Sequence, residues 1–202
     1  MKRYIRPVMI AILLLALAAG WIWRYVTMNR YYDDLDNGGY KLYQSKETVP
    51  FEDDGHGKDD LNGYFLQVNG YEVLDYKECI EKFNLPLSEG EDSPEKLALV
   101  RITLGNEFCE DGGINLTSFG LRSIDTVLNM DWNMLTAINS VLNGSRGIKL
   151  NKGSELELVL PYGLYQESFR RRTWNDIDEQ DMYFKVTTTL TTKEILISDG
   201  IA

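Results

Sequence analysis

The sequence predicts a mainly β domain carried outside a membrane behind a single N-terminal helix, and three observations predict it. Residues Pro7 to Trp23 contain no charge and no strongly polar side chain. Residues 27–62 are polar and acidic and show no hydrophobic periodicity. From Tyr64 onward apolar residues recur at every second position in about seven short runs, with two runs at helical spacing among them, the pattern of half-buried strands and short amphipathic helices.

At about 1.5 Å per residue, a helix over Pro7–Trp23 reaches roughly 25 Å, the lower end of what crosses a bilayer core. Lys2, Arg3 and Arg6 precede it, Arg24 and Arg30 follow, and acidic residues begin at Asp33, so the positive-inside bias places the N-terminus in the cytoplasm. Trp21, Trp23 and Tyr25 suit the interfacial belt of a retained helix. The expected organisation is a cytoplasmic tip at 1–6, a membrane-spanning helix or signal anchor at 7–26, an acidic spacer at 27–62 and a β domain at 63–202. The alternative is a signal peptide cleaved after Ala16-Leu17-Ala18, which gives a secreted protein.

Residues 31–202 carry sixteen basic and 31 acidic side chains, a net −15. Such a surface repels polyanions and excludes nucleic acid as a partner, because phosphate neutralisation supplies most of that affinity. Within the spacer, Asp34, Asp36, Asp53, Asp54, Asp59 and Asp60 do not reproduce the ligand order of a calcium loop, and they read as a solvated acidic run.

The elements then follow in order. Tyr64, Leu66 and Val68 share one face of a strand that bends or bulges at Asn69-Gly70 and resumes with Tyr71 and Val73. Asp75 is placed as the N-cap of a short helix carrying Tyr76, Cys79, Ile80 and Phe83, which Pro86 stops. Leu97–Leu104 reads as a central strand: Ala98, Val100, Ile102 and Leu104 line one face, and the opposite face becomes wet towards Arg101 and Thr103. Ile114, Leu116, Phe119 and Leu121 are core candidates in one or two further strands. Asp131–Leu142 has helical period and stops at Asn143-Gly144. Gly147–Leu150 and Glu155–Pro161 are expected to pair as a hairpin through Asn151-Lys152-Gly153. A partly helical excursion over 162–181 precedes two last strands, Met182–Leu190 and Glu194–Ile197.

A strand, a short helix, "LALVRITLGNE", "GSELELVLPYGL", an excursion with "SFRRRTW" and then "MYFKVTTTLTTKEILIS" together resemble the telokin-like, immunoglobulin-type domains of unknown function found on bacterial cell surfaces behind one anchor. The resemblance covers residues 63–198. It implies an immunoglobulin-like two-sheet sandwich with two short helical insertions, whose interior includes Val100, Ile102, Leu158, Leu160, Trp174, Phe184 and Val186. The strand-free insert from Asp125 to Gly147 departs from that pattern, and the family supplies no catalytic residue to carry over.

The chemistry-bearing residues are few. His56, the single histidine, sits between two glycines of the spacer, so a His-activated nucleophile has no base, and no phosphate-binding loop or zinc-ligand spacing occurs. The sequence therefore assigns no catalytic residue, cofactor or metal. Cys79 and Cys109 form one disulfide or remain two free thiols. Arg170, Arg171 and Arg172 are the one basic cluster; they form either a candidate interaction patch or a solvated face paired with Asp176, Asp178 and Glu179. The expectation is a non-enzymatic, single-pass, extracytoplasmic protein that binds an unknown protein or cell-envelope component. Its rival is a secreted calcium-dependent module or a hydrolase using carboxylates.

Overall fold

A computed structural model describes residues 18–24, 39–51, 61–86, 90, 92–110, 112–187 and 191–198. The chain divides into two units, one ending at Tyr40 and one beginning at Lys41. In the first, residues 18–24 are helical and exposed. No helix among the described residues is long and apolar enough to cross a membrane. The rest of the predicted span at 7–26, the tip at 1–6 and residues 27–38 and 52–60 of the predicted spacer lie outside the described residues.

The second unit starts earlier than predicted. β1 (Tyr40–Gln44) and β2 (Thr48–Phe51) are strands, so the stretch from 40 to 51 belongs to the domain and not to a spacer. Their signal was short: two buried residues, Val49 and Phe51, alternate with Thr48 and Pro50. Lys46, with φ 70°, turns the chain between them, and the Gln44 N–H donates to Glu47 Oε2 at 2.7 Å.

β3 (Tyr64–Asp75) runs antiparallel to β4 (Lys96–Asn106), and α1 (Tyr76–Phe83) fills the connection. The register steps between Val68 and Gly70, leaving Asn69 as the extra residue of a bulge. That insertion changes the parity of the inward positions from Tyr64, Leu66 and Val68 to Tyr71 and Val73, as the sequence pattern indicated. At the far end the ring of Phe65 occupies the place that a Cβ at Gly105, directly opposite, would take.

β5 (Ile114–Asn115), a 3₁₀ turn at Leu116–Ser118, β6 (Gly120–Arg122) and β7 (Val127–Leu128) come next. α2 (Trp132–Ile138) is capped by Asp131, whose carboxylate accepts the Met134 N–H at 3.0 Å. Then follow β8 (Gly147–Ile148), β9 (Ser154–Leu164), α3 (Arg171–Asn175), β10 (Met182–Thr187) and β11 (Thr192–Ile197).

The expected hairpin of 147–150 with 155–161 does not form. β8 pairs with β5, through Ile114 opposite Ile148, while β9 lies along the whole of β4, from Lys96 opposite Leu164 to Asn106 opposite Ser154. The Asn151–Gly153 turn is real, with Gly153 at φ 73°, but the Gly153 N–H donates to Asn106 O at 2.7 Å and so delivers the chain to β4. An eleven-residue ladder outcompetes the four-residue pairing that proximity in sequence suggests.

Two large open sheets result, one ordered β1-β11-β10-β6-β7 and one β2-β3-β4-β9. Their inner faces share a single cluster of buried residues. A line of rings, Phe51, Phe119, Phe184 and Tyr162, runs through it at centroid separations of 6.2, 5.7 and 6.5 Å. Val100, Ile102, Leu158, Leu160, Phe184 and Val186 are all buried there, whereas Trp174 is only half-buried against Phe169. Lys193 also points inward, in phase with Ile195 and Ile197, and its buried ammonium donates to Pro50 O at 2.7 Å, linking the two sheets.

A second cluster lies on the other face of β4, where Leu97 and Leu99 pack with Tyr76 and Cys79 of α1 and Met134 of α2. The α2 end is fixed by Asn139, which accepts the Val159 N–H at 2.9 Å and donates to Val159 O at 2.8 Å. Its amide thus pairs with the edge strand β9 as a neighbouring strand would, which covers part of that edge.

Candidate binding cleft

A cleft of about 720 Å³ opens on the outer side of the five-stranded sheet. Strand register builds its floor. Lys185 of β10 lies between Gly120 of β6 and Glu194 of β11, and Arg122 lies one row away between Tyr183 and Val127. Because adjacent residues face opposite sides, Lys193 enters the core while Glu194 faces the cleft. Gly120 leaves a depression that the Lys185 stem borders: a Cβ there would meet Lys185 Cβ at 3.8 Å.

Arg122 is held rigidly. Its Nε and Nη2 donate to the two oxygens of the nearly buried Glu194 at 2.9 and 2.6 Å, and its guanidinium lies 4.1 Å from the centroid of the Tyr183 ring. A bidentate pair with a stacked ring fixes the charge in position. The walls come from the 3₁₀ turn and the start of α2. Thr117 donates through both its N–H and its hydroxyl to Asn115 Oδ1, at 3.0 and 2.9 Å, and Ser118 donates through its hydroxyl to Asn115 O at 2.7 Å. Trp132 supplies the aromatic wall, and the Arg146 guanidinium stacks on it at 5.0 Å.

Arg146 also lines a shallower hollow of about 440 Å³ together with Lys149 and the β5–β8 backbone. The two hollows are neighbours: Asn115 of one bonds Thr117 of the other, and Arg146 of one stacks on Trp132 of the other. Their charged lining residues are Arg122, Lys185, Arg146 and Lys149 against Glu194, a cationic excess in a chain of net charge −10. A third groove, beside the C-terminal ends of α1 and α2, is lined by Arg101 and Glu157 and is balanced in charge.

The residues singled out from sequence lie elsewhere. Arg170, Arg171 and Arg172 are exposed at the start of α3 and do not line the cleft. Arg170 pairs with Asp125, Nε to Oδ1 at 3.4 Å, and Asp178 pairs with Lys96 at 3.2 Å, so these two members of the expected partnership are engaged by other parts of the chain. A hydrogen bond from Thr173, joined by the Arg170 backbone and charge, holds the Asp125 carboxyl below the usual carboxylate range.

Cys79 and Cys109 are both free thiols. The first is buried under α1 and the second packs at the edge of the main core, so the structure does not bring them together. Burial pushes the Cys79 thiol up to about 11. A reagent selective for thiolate at pH 8 is therefore expected to label Cys109 in the native protein and Cys79 only after unfolding, as peptide mapping of the alkylated chain would show. Equal native labelling would contradict the packing of α1. The raised value also has a pH consequence. Its stabilising contribution is complete below the ordinary thiol value of 9.0 and is lost as pH climbs through about 11.

His56 and the acidic residues of 34–60 weighed for calcium lie outside the described residues. Among the described residues, no group of three or more His, Cys, Asp or Glu side chains is placed to hold a metal ion. Sequence reasoning missed Arg122, Lys185, Glu194 and Trp132. The first three occupy the polar positions of alternating strands, where a site and a solvated face look alike until the strand order is known.

A family model described as a domain of unknown function (DUF5028) matches residues 40–191. Among solved structures, a Bacillus subtilis protein described as a "putative lipoprotein (ycdA)" is similar with a TM-score of 0.41 at 10% identity, over 67% of this chain and 36% of that one. The chain thus spans about a third of that protein's length. A conserved hypothetical protein from Bacillus anthracis is similar with a TM-score of 0.38 at 13% identity, over 73% of this chain and 95% of that one. No curated protein matches.

Proposed function

This chain belongs to the DUF5028 family, a domain of unknown function that begins at β1, and from its own geometry we propose that it is a non-enzymatic binding protein held on the outer side of a membrane by residues 7–26. Its two sheets form an immunoglobulin-like sandwich of the telokin-like type, and the cleft on the outer face of the five-stranded sheet receives a protein or a cell-envelope component. The observation that carries this reading is the concentration of Arg122, Lys185, Arg146 and Lys149 around two neighbouring hollows, in a chain where acids outnumber bases by 31 to 21. Arg122 is paired with Glu194, and the positive charge that Lys185, Arg146 and Lys149 add around it favours an anionic ligand.

A hydrolase acting through two carboxylates is less well supported. The cleft offers one carboxylate, Glu194, and both of its oxygens are engaged by Arg122.

The test is photo-crosslinking of the full-length protein in its own membranes. A crosslinking residue at Thr192, on the cleft, is expected to yield adducts that the same residue at Glu155, on the exposed edge side of β9, does not. Adducts of equal yield from both positions, or from neither, would reject the cleft as the ligand site.

A further inference from the structure

We propose that the ligand of this cleft is a hydroxyl-rich chain bearing repeated acid groups, an anionic sugar or polyol polymer. The inference rests on the reading of the cleft as the binding site.

Three features select this chemistry. First, the cations are distributed, with Lys185 beside the Arg122–Glu194 pair in the cleft and Arg146 and Lys149 in the adjoining hollow. A single small anion satisfies one of these places, whereas a chain with spaced acids satisfies both. Second, the hydroxyls of Thr117 and Ser118 have already spent their donors on Asn115, so what they present to a ligand is lone pairs. Lone pairs require a donor, and ligand hydroxyls supply donors beside each acid group. Third, Trp132 lines the cleft and offers aromatic surface to the C–H face of a sugar.

An extended acidic peptide fits less well. It docks by adding a strand to a free edge. β7 on this side is two residues long, and β9 is already engaged by Asn139 and by the bonds of Asn129 and Asp131 to Gly163 and Pro161. Two adjoining hollows with cations in each suit a chain that lies across the face of the sheet.

The experiment uses the full-length protein in detergent micelles and four probes: polygalacturonate, poly(glycerol phosphate), neutral dextran and poly-glutamate. Saturable binding is expected for polygalacturonate, poly(glycerol phosphate) or both, at least about tenfold tighter than for dextran or poly-glutamate, a difference of the size one good charge contact provides. The first two probes separate carboxylate from phosphate as the acid group. K185E/R146E is expected to lose about tenfold in affinity and K185Q/R146Q somewhat less, while R171E/R172E on α3 leaves binding unchanged and added salt weakens it. Thermal unfolding of each variant, matched to the parent, separates loss of contact from loss of fold.

Tight binding of poly-glutamate, no binding of either hydroxylated polyanion, or equal loss in the α3 variant would overturn the proposal. The crosslinking result separates it from the cleft reading. A Thr192 adduct resistant to protease and removed either by periodate, which cleaves sugar diols, or by hydrofluoric acid, which cleaves phosphodiesters, supports both. A protease-sensitive adduct rejects the polymer and keeps the cleft, and the lack of a Thr192-specific adduct rejects both.

Discussion

Val100→Asp is expected to leave the domain unfolded at room temperature. Val100 is fully buried on the inner face of β4, directly opposite Tyr71 of β3 on one side and Leu160 of β9 on the other. Each of those neighbours also faces or packs against the shared core, so a carboxylate there meets no cation and no water. Burying an unpaired charge or forcing it neutral costs about 5 kcal/mol or more, comparable to the whole stability of an ordinary domain. The profile of single Asp substitutions along the strand is more informative than this one variant. Strict alternation would spare every second residue, but Leu97 and Leu99 are buried on the opposite face beneath α1 and α2. Severe loss is therefore expected at all four positions from Leu97 to Val100 and again at Ile102 and Leu104. Arg101, exposed and paired at the surface with Glu72 at 3.4 Å, should tolerate the change best, within about 1 kcal/mol. Thr103 falls between, since its hydroxyl accepts from Asn69 Nδ2 at 2.6 Å. Thermal unfolding by circular dichroism reads this series. Damage at spacings of three and four would be incompatible with β4 as a strand.

Asn106→Leu is expected to cost about 3 kcal/mol and lower the melting temperature by roughly 10 °C. Its buried amide donates to Cys109 O at 2.8 Å and Leu150 O at 2.9 Å and accepts the Cys109 N–H at 2.8 Å. Tyr64 completes the arrangement: its hydroxyl donates to Gly112 O at 2.9 Å and accepts the Leu150 N–H at 3.2 Å. Burial raises the pKa of that phenol above its ordinary value. Removing the Asn106 amide takes that partner from the backbone groups of Cys109 and Leu150 in a partly buried site, and each buried group left unpaired costs about 1–3 kcal/mol. A second readout follows from position. The loop after β4 is held through Cys109, so native alkylation of Cys109 should speed up in Asn106→Leu while Cys79 stays protected. An unchanged melting temperature, or faster labelling of Cys79, would show that the network does not hold this loop.

Much of the candidate site was out of reach of the sequence because it is assembled by register. Lys185, Gly120 and Glu194 come from three strands, and each by itself is an ordinary outward-facing residue. Arg122 reads as one more solvated cation until Glu194 and Tyr183 are placed around it. The visible basic cluster, Arg170–Arg172, drew notice because its charges are adjacent in the chain, yet its partner Asp125 lies 45 residues away. Adjacency along the chain and adjacency in space are different signals, and only the first is written in local composition.

What the sequence by itself determined is therefore everything set by local periodicity and local backbone preference. The alternation of Tyr64, Leu66 and Val68, its reversal at Asn69, the helix after Asp75, the central strand around Val100 and the Asp131-capped helix all follow from period two, period 3.6 and capping chemistry acting over a few residues. Only the tertiary structure decided which strand takes which neighbour. It gave β9 to β4 and β8 to β5, drew Thr48–Phe51 out of an apparently acidic spacer onto the edge beside β3, and turned Lys193 inward to Pro50. The reason is physical: a strand's pattern states which face must be buried, while the choice of partner depends on the summed packing and hydrogen bonding of whole ladders, which no local stretch contains.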